Sequence, residues 1–166
     1  MFQNLINDLG REYESFKKVF RTGKLADAYA ELNGFNDDKS NLLKAFVLIL
    51  LKKTGKALEY LGKLDASKID FIEKDIYFEL MGFCYNEEHN KLEATKYYLK
   101  SLEINPNNFY SRYNLTNIYL ENKNYKNAYQ NLLILNEMDP EDKAIITNLE
   151  KVKKFIWGLL ASFNFT

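Results

Sequence analysis

The residues that most catalytic and redox sites depend on are scarce in this chain. Its 166 residues include one cysteine, one histidine, one tryptophan and two prolines. A lone Cys84 cannot close an internal disulfide, so a reducing, cytoplasmic setting is expected. Cys84 and His89 together cannot supply the four ligands, drawn mainly from Cys and His, of an ordinary zinc site, and neither metal nor cofactor is expected. Nucleophilic catalysis would need this one histidine beside a positioned nucleophile and an orienting acid. Nothing near His89 has that pattern, so an enzyme is not expected and Cys84 reads as a buried thiol.

An excess of charge is missing as well. Lys plus Arg and Asp plus Glu number 23 each, giving zero net charge. Nucleic-acid binding draws on released counterions and a basic face, so no nucleic-acid partner is expected. The cluster Lys151, Lys153 and Lys154 reads as a solvated helix face. The first residues lack a basic start followed by an apolar run, so no secretory signal is expected. Apolar runs are short: residues 42–51, which include Lys44, and residues 155–165. Crossing a bilayer as a helix takes roughly 20 residues, so no membrane span is expected. Both runs read as buried helix or docking surface. Seven glycines, two prolines and no run of strand alternation leave little room for a sheet.

What the chain does have is apolar material for a core, at 46% of residues, with twelve Tyr and twelve Phe among them. It also has an internal period. Pro106 and Pro140 lie 34 residues apart, as do Ala94 and Ala128, Tyr85 and Tyr119, and Asn90 and Asn124. Four residue types agreeing on one period mark a repeat architecture. The period delimits units at residues 75–108 and 109–142.

These units resemble the tetratricopeptide repeat. In the first, Phe78, Met81, Gly82, Tyr85, Ala94, Tyr98, Ser101 and Pro106 fill the family's large and small positions. The second keeps Leu115, Tyr119, Tyr125, Ala128 and Pro140, and departs at Arg112, Thr116 and Leu135. The resemblance implies an all-α fold, a right-handed superhelical stack of antiparallel helix pairs. Small residues such as Gly82 and Ala94 would let paired helices approach, and each pair would bury its apolar face against the next. Asn90 and Asn124 suit the turn inside each pair, where positive φ is expected. Pro106 and Pro140 suit the first position of a following helix, with Asp139 as N-cap.

Two degenerate units are expected upstream, at about residues 5–38 and 39–69. Thr22-Gly23-Lys24 and Thr54-Gly55-Lys56 serve as their turns, with Gly55 aligned to His89. Ala28 takes the small position of the first, and Tyr60 falls there in the second. Neither Gly-Lys pair has the upstream Gly and following Ser or Thr of a phosphate-binding loop. The whole reads as a single repeat domain, residues 1–166, with a capping helix at about 141–162. The expected helices are 3–21, 24–33, 40–53, 56–65, 70–87, 91–104, 108–122, 125–138 and 141–162.

The resemblance also implies that first helices line a groove for a peptide or helix of a partner protein. The groove positions are Glu79, Phe83, Asn86, Tyr110, Tyr113, Asn114, Asn117, Glu121 and Lys151. Rings and amides there suit an extended backbone. Family members that grip the acidic tails of heat-shock chaperones surround the terminal carboxylate with Lys, Asn and Arg. Asn114 matches one such position, but Glu79, Phe83, Ala144 and Asn148 occupy the others, so that use is not expected. The expectation is an adaptor or assembly factor. Two alternatives stand beside it. One is a small secretion chaperone of the same family; the other is a structural protein forming a homo-oligomer through Trp157, Leu159, Leu160 and Phe163 of the last helix.

Overall fold

The computed structural model describes residues 6, 7, 9–69 and 71–163, with the side chains of all but 71–73 and 159–163. Among the described residues there are nine α-helices and no strand. They are α1 (Glu14–Arg21), α2 (Leu25–Glu31), α3 (Asp38–Leu50), α4 (Thr54–Leu61), α5 (Phe71–Glu87), α6 (Lys91–Ile104), α7 (Phe109–Glu121), α8 (Tyr125–Met138) and α9 (Lys143–Phe163). The chain falls into two compact units, one ending at Asn108 and one beginning at Phe109. Each is described by itself.

In the first unit α1 pairs with α2, α3 with α4 and α5 with α6. Successive pairs touch through α2 and α3, α4 and α5, and α3 and α5. Apolar faces that no helix could hide alone form one core, including Phe16, Leu32, Leu43, Leu61, Met81 and Cys84. The expected helix 3–21 is interrupted: residues 6 and 7, ahead of these nine elements, are helical, but the helix does not run through. Gly10 is extended, at φ −61° and ψ 173°, and a 3-10 turn, Arg11–Tyr13, leads into α1. Residues 3–5 and 8 of that expected helix lie outside the described residues. Helix α3 starts where the Asp37 carboxylate accepts from the Ser40 N–H at 2.8 Å. Lys44, buried in this apolar helix, donates from Nζ to the Phe35 carbonyl, and that bond offsets burying the charge.

The turns inside the pairs correct two expectations. Among the described residues, those with positive φ are Gly23, Lys52, His89 and Lys123; they are not Asn90 and Asn124. At Lys52, His89 and Lys123 the chain closes a Schellman turn. The Lys53, Asn90 and Asn124 N–H groups donate to the Leu48, Tyr85 and Tyr119 carbonyls, each at 2.8 Å. Asn90 and Asn124 instead cap the next helix, accepting from the Glu93 and Asn127 N–H groups. An Asn side chain is worth more as an N-cap than as a residue that merely tolerates the left-handed turn.

Gly55 lies inside α4 and is not equivalent to His89; Lys52 is. The small position of that pair is therefore Ala57, and not Tyr60. Ala28, Ala57, Ala94 and Ala128 each follow the positive-φ residue by five positions, and each is 0% exposed. Tyr60 lies further along α4, where its hydroxyl meets that of Tyr29 at 2.8 Å.

The second unit pairs α7 with α8 and α8 with α9 around Leu132, Leu135, Ile145, Leu149 and Val152. Pro106 and Pro140 lie in the connections between pairs, ahead of the next helix and not at its first position. The residue before each proline closes a small turn. Asn105 Oδ1 accepts from the Asn107 N–H at 3.0 Å, and Asp139 Oδ1 from the Glu141 N–H at 3.3 Å. The N-cap of α9 is Asp142, which accepts from the Ala144 and Ile145 N–H groups, so Asp139 does not cap it.

Candidate partner-binding surface

The expected groove positions of the first unit sit on α5 at a spacing of three to four residues, which sets Glu79, Phe83 and Asn86 on one stripe. Their surroundings differ. Asn86 is half-buried, and Phe83 is half-buried and packed against the core. Glu79 is only 7% exposed and does not present its carboxylate to solvent.

Glu79 belongs to a buried polar cluster that the repeat pattern does not announce. Asn108 Nδ2 donates to Glu79 Oε2 at 2.9 Å and to Ser101 Oγ at 3.0 Å. Asn105 Nδ2 donates to Asp75 Oδ2 at 2.7 Å. The connection after α6 is thus stitched to α5 through two carboxylates and two amides, which satisfies polar groups that burial would otherwise penalise. Burial pushes the Glu79 carboxyl up to about 7; the Asn108 bond opposes that rise and the nearby Asp75 charge adds to it. Asp75 and Glu79, four residues apart on an apolar helix, were the available sequence signal.

On α7 the expected positions stay accessible. Tyr110 is 53% exposed and meets the Phe109 ring edge-on. Tyr113 stacks on the same ring, with centroids 5.9 Å apart. Asn114 and Asn117 are half-buried, while Glu121 and, on α9, Lys151 are exposed. Phe109, absent from the expected set, is the shared support of both tyrosines.

The first unit also carries an open cleft of about 410 Å³ lined by Glu12, Tyr13, Asp37, Asp38, Lys39, Lys68 and Ile69. The Tyr13 hydroxyl donates to both Asp37 oxygens, at 2.8 and 2.9 Å. Burial works to raise the Asp37 carboxyl, but bonds from the Ser40 N–H and the Tyr13 hydroxyl outweigh it and hold the group below its ordinary value. Asp37 is thus committed to capping α3. Among the described residues no group of three His, Cys, Asp or Glu side chains could hold a metal ion. No helix among them is long and apolar enough to cross a membrane.

The comparisons with known proteins agree with this geometry. The tetratricopeptide repeat model matches residues 97–130. No curated protein matches the sequence. Among solved structures, a tetratricopeptide repeat protein from Parabacteroides merdae superposes with a TM-score of 0.66 at 19% identity over 89% of this chain. This chain spans 58% of that protein's length. The C-terminal TPR-containing domain of a Plasmodium falciparum protein described as FK506-binding superposes with a TM-score of 0.50 at 15% identity. That match covers 94% of this chain and 99% of the domain. Paired helices closed by Schellman turns over buried alanines give this chain the tetratricopeptide-repeat fold, and residues 97–130 match the repeat's own model.

Proposed function

We propose that the chain is a protein-binding module, an adaptor or assembly factor that holds a peptide or short helix of a partner on the α7 face. The carrying observation is the exposed Tyr110 and half-buried Tyr113 beside the Asn114 and Asn117 amides on one helix. Rings already braced on Phe109 lose little side-chain freedom when a partner covers them. Amides next to them can pair with an extended backbone.

The test is affinity purification from the native cell with the parent chain and with a Tyr110→Ala, Asn117→Ala variant as baits, followed by mass spectrometry. The reading expects a bound protein that the variant loses while its helical circular dichroism stays the same. The same protein held equally by both baits would refute the α7 assignment.

A further inference from the structure

The last helix outruns its neighbour. Helix α8 has 14 residues and α9 has 21, and the two are joined by the four residues 139–142, so they run antiparallel. Their register is marked by Phe155, whose ring lies 4.1 Å from that of Tyr125, the first residue of α8. Residues 156–163 therefore continue past the start of α8, by roughly 12 Å at the α-helical rise. The stripe buried against α8 is Ile145, Leu149 and Val152, with Ile156 partly buried. Further along, the sequence continues with Leu159, Leu160 and Phe163.

Apolar character here is not confined to that stripe. Phe155 is 45% exposed and Trp157 is 69% exposed. Two positions apart on a helix, they face nearly opposite sides. A Cβ built on Gly158 would meet no atom within 4 Å, so the surface next to Trp157 is open. Between Phe155 and Phe163 the sequence has no charged residue. Just before it, Lys151, Lys153 and Lys154 are all exposed. From Lys151 to Thr166 there is no acidic residue, so this segment carries three positive charges in a chain whose net charge is zero.

We propose that the end of α9 is an interfacial anchor, seating Trp157 and the apolar turns around it among the headgroups of an anionic lipid surface with the three lysines on its phosphates. The occupant follows from charge and shape. Two copies meeting through this helix would bring like charges together. A protein groove accepts one stripe of a helix, whereas a fluid lipid layer accepts rings on opposite sides. The apolar stretch is too short to cross a bilayer, but a basic helix end with Trp and Phe suits the interface. Apart from Lys151, the anchor uses none of the expected groove positions, and none of the α7 residues.

The chain's single tryptophan reports on the proposal directly. The full chain is mixed with vesicles of phosphatidylcholine alone, or of phosphatidylcholine with phosphatidylserine, and Trp emission and co-sedimentation are followed. The expected result is a blue shift and sedimentation only with phosphatidylserine, weakened by salt. Replacing Lys151, Lys153 and Lys154 by Glu should cut vesicle affinity by about a hundredfold with helicity unchanged. Unchanged emission with the anionic vesicles would overturn the proposal. So would a blue shift that rises with protein concentration in the absence of lipid, alongside a doubled mass by light scattering, which would assign the surface to a second copy. A shift produced by an acidic polypeptide but not by the vesicles would assign it to a protein and overturn the proposal equally.

Discussion

A Cβ on Gly82 would stand 2.7 Å from Cδ1 of Tyr98, closer than real side chains approach. Tyr98 is 0% exposed, so its ring has nowhere to swing. Gly82→Ala should therefore destabilise the fold by roughly 1–3 kcal/mol through overpacking. Thermal denaturation followed by circular dichroism measures it. A melting temperature equal to that of the parent would show that α5 and α6 can part there without cost.

Lys123 holds φ at 56°, a backbone region that costs an L residue and costs glycine nothing. Part of the gain from glycine is offset by its freer unfolded chain, so Lys123→Gly should stabilise by a few tenths to about 1 kcal/mol. Chemical denaturation would register the gain as a higher midpoint at unchanged slope. A lower midpoint would mean that the lysine side chain itself contributes to the turn.

The Glu79 carboxyl rises from an ordinary 4.5 to about 7 on folding, chiefly through burial. Between those values the unfolded chain gives up the proton while the folded chain keeps it. Stability therefore falls as pH rises from about 4.5 to 7, by an amount on the order of 3 kcal/mol, and levels off above. Glu79→Gln keeps an acceptor for Asn108 and removes the titration. Its stability advantage over the parent should be greater at pH 8 than at pH 5. A constant difference between the two proteins across that range would contradict the assignment.

Cys84 is 0% exposed, and burial, with smaller help from the Glu88 and Glu87 charges, pushes its thiol up to about 12. The reactive thiolate is then scarce at pH 8. Ellman's reagent should find no thiol in the folded chain within minutes and one per chain in denaturant. Prompt reaction without denaturant would show that the pair α5 and α6 opens readily.

The helix pairs were legible because their determinants are local and periodic. Ala28, Ala94 and Ala128 take the small position from spacing together with the resemblance to the repeat, and each is fully buried. The misreadings arose where spacing drifts. Between Gly23, Lys52, His89 and Lys123 the intervals are 29, 37 and 34 residues, so a fixed period placed Gly55 and Tyr60 three positions late. Glycine also misled by identity, since Gly55 is helical while Lys52, His89 and Lys123 adopt the left-handed turn. At the candidate surface, the exposure of Tyr110 follows from its helix position. The fate of Glu79 does not, because Asn108 lies 29 residues further along the chain.

The constant five residues from each left-handed turn to its buried alanine leave the stretch between one alanine and the next turn as the part that varies in length. Evolution and engineering meet different resistance at those two places. A residue inserted between Lys52 and Ala57 rotates a side chain into a helix crossing, while one inserted beside the exposed Gly34 falls in a connection outside the helices. The chain therefore keeps its joints fixed and lets its spacers drift, and loop grafts should be tolerated in the spacers alone.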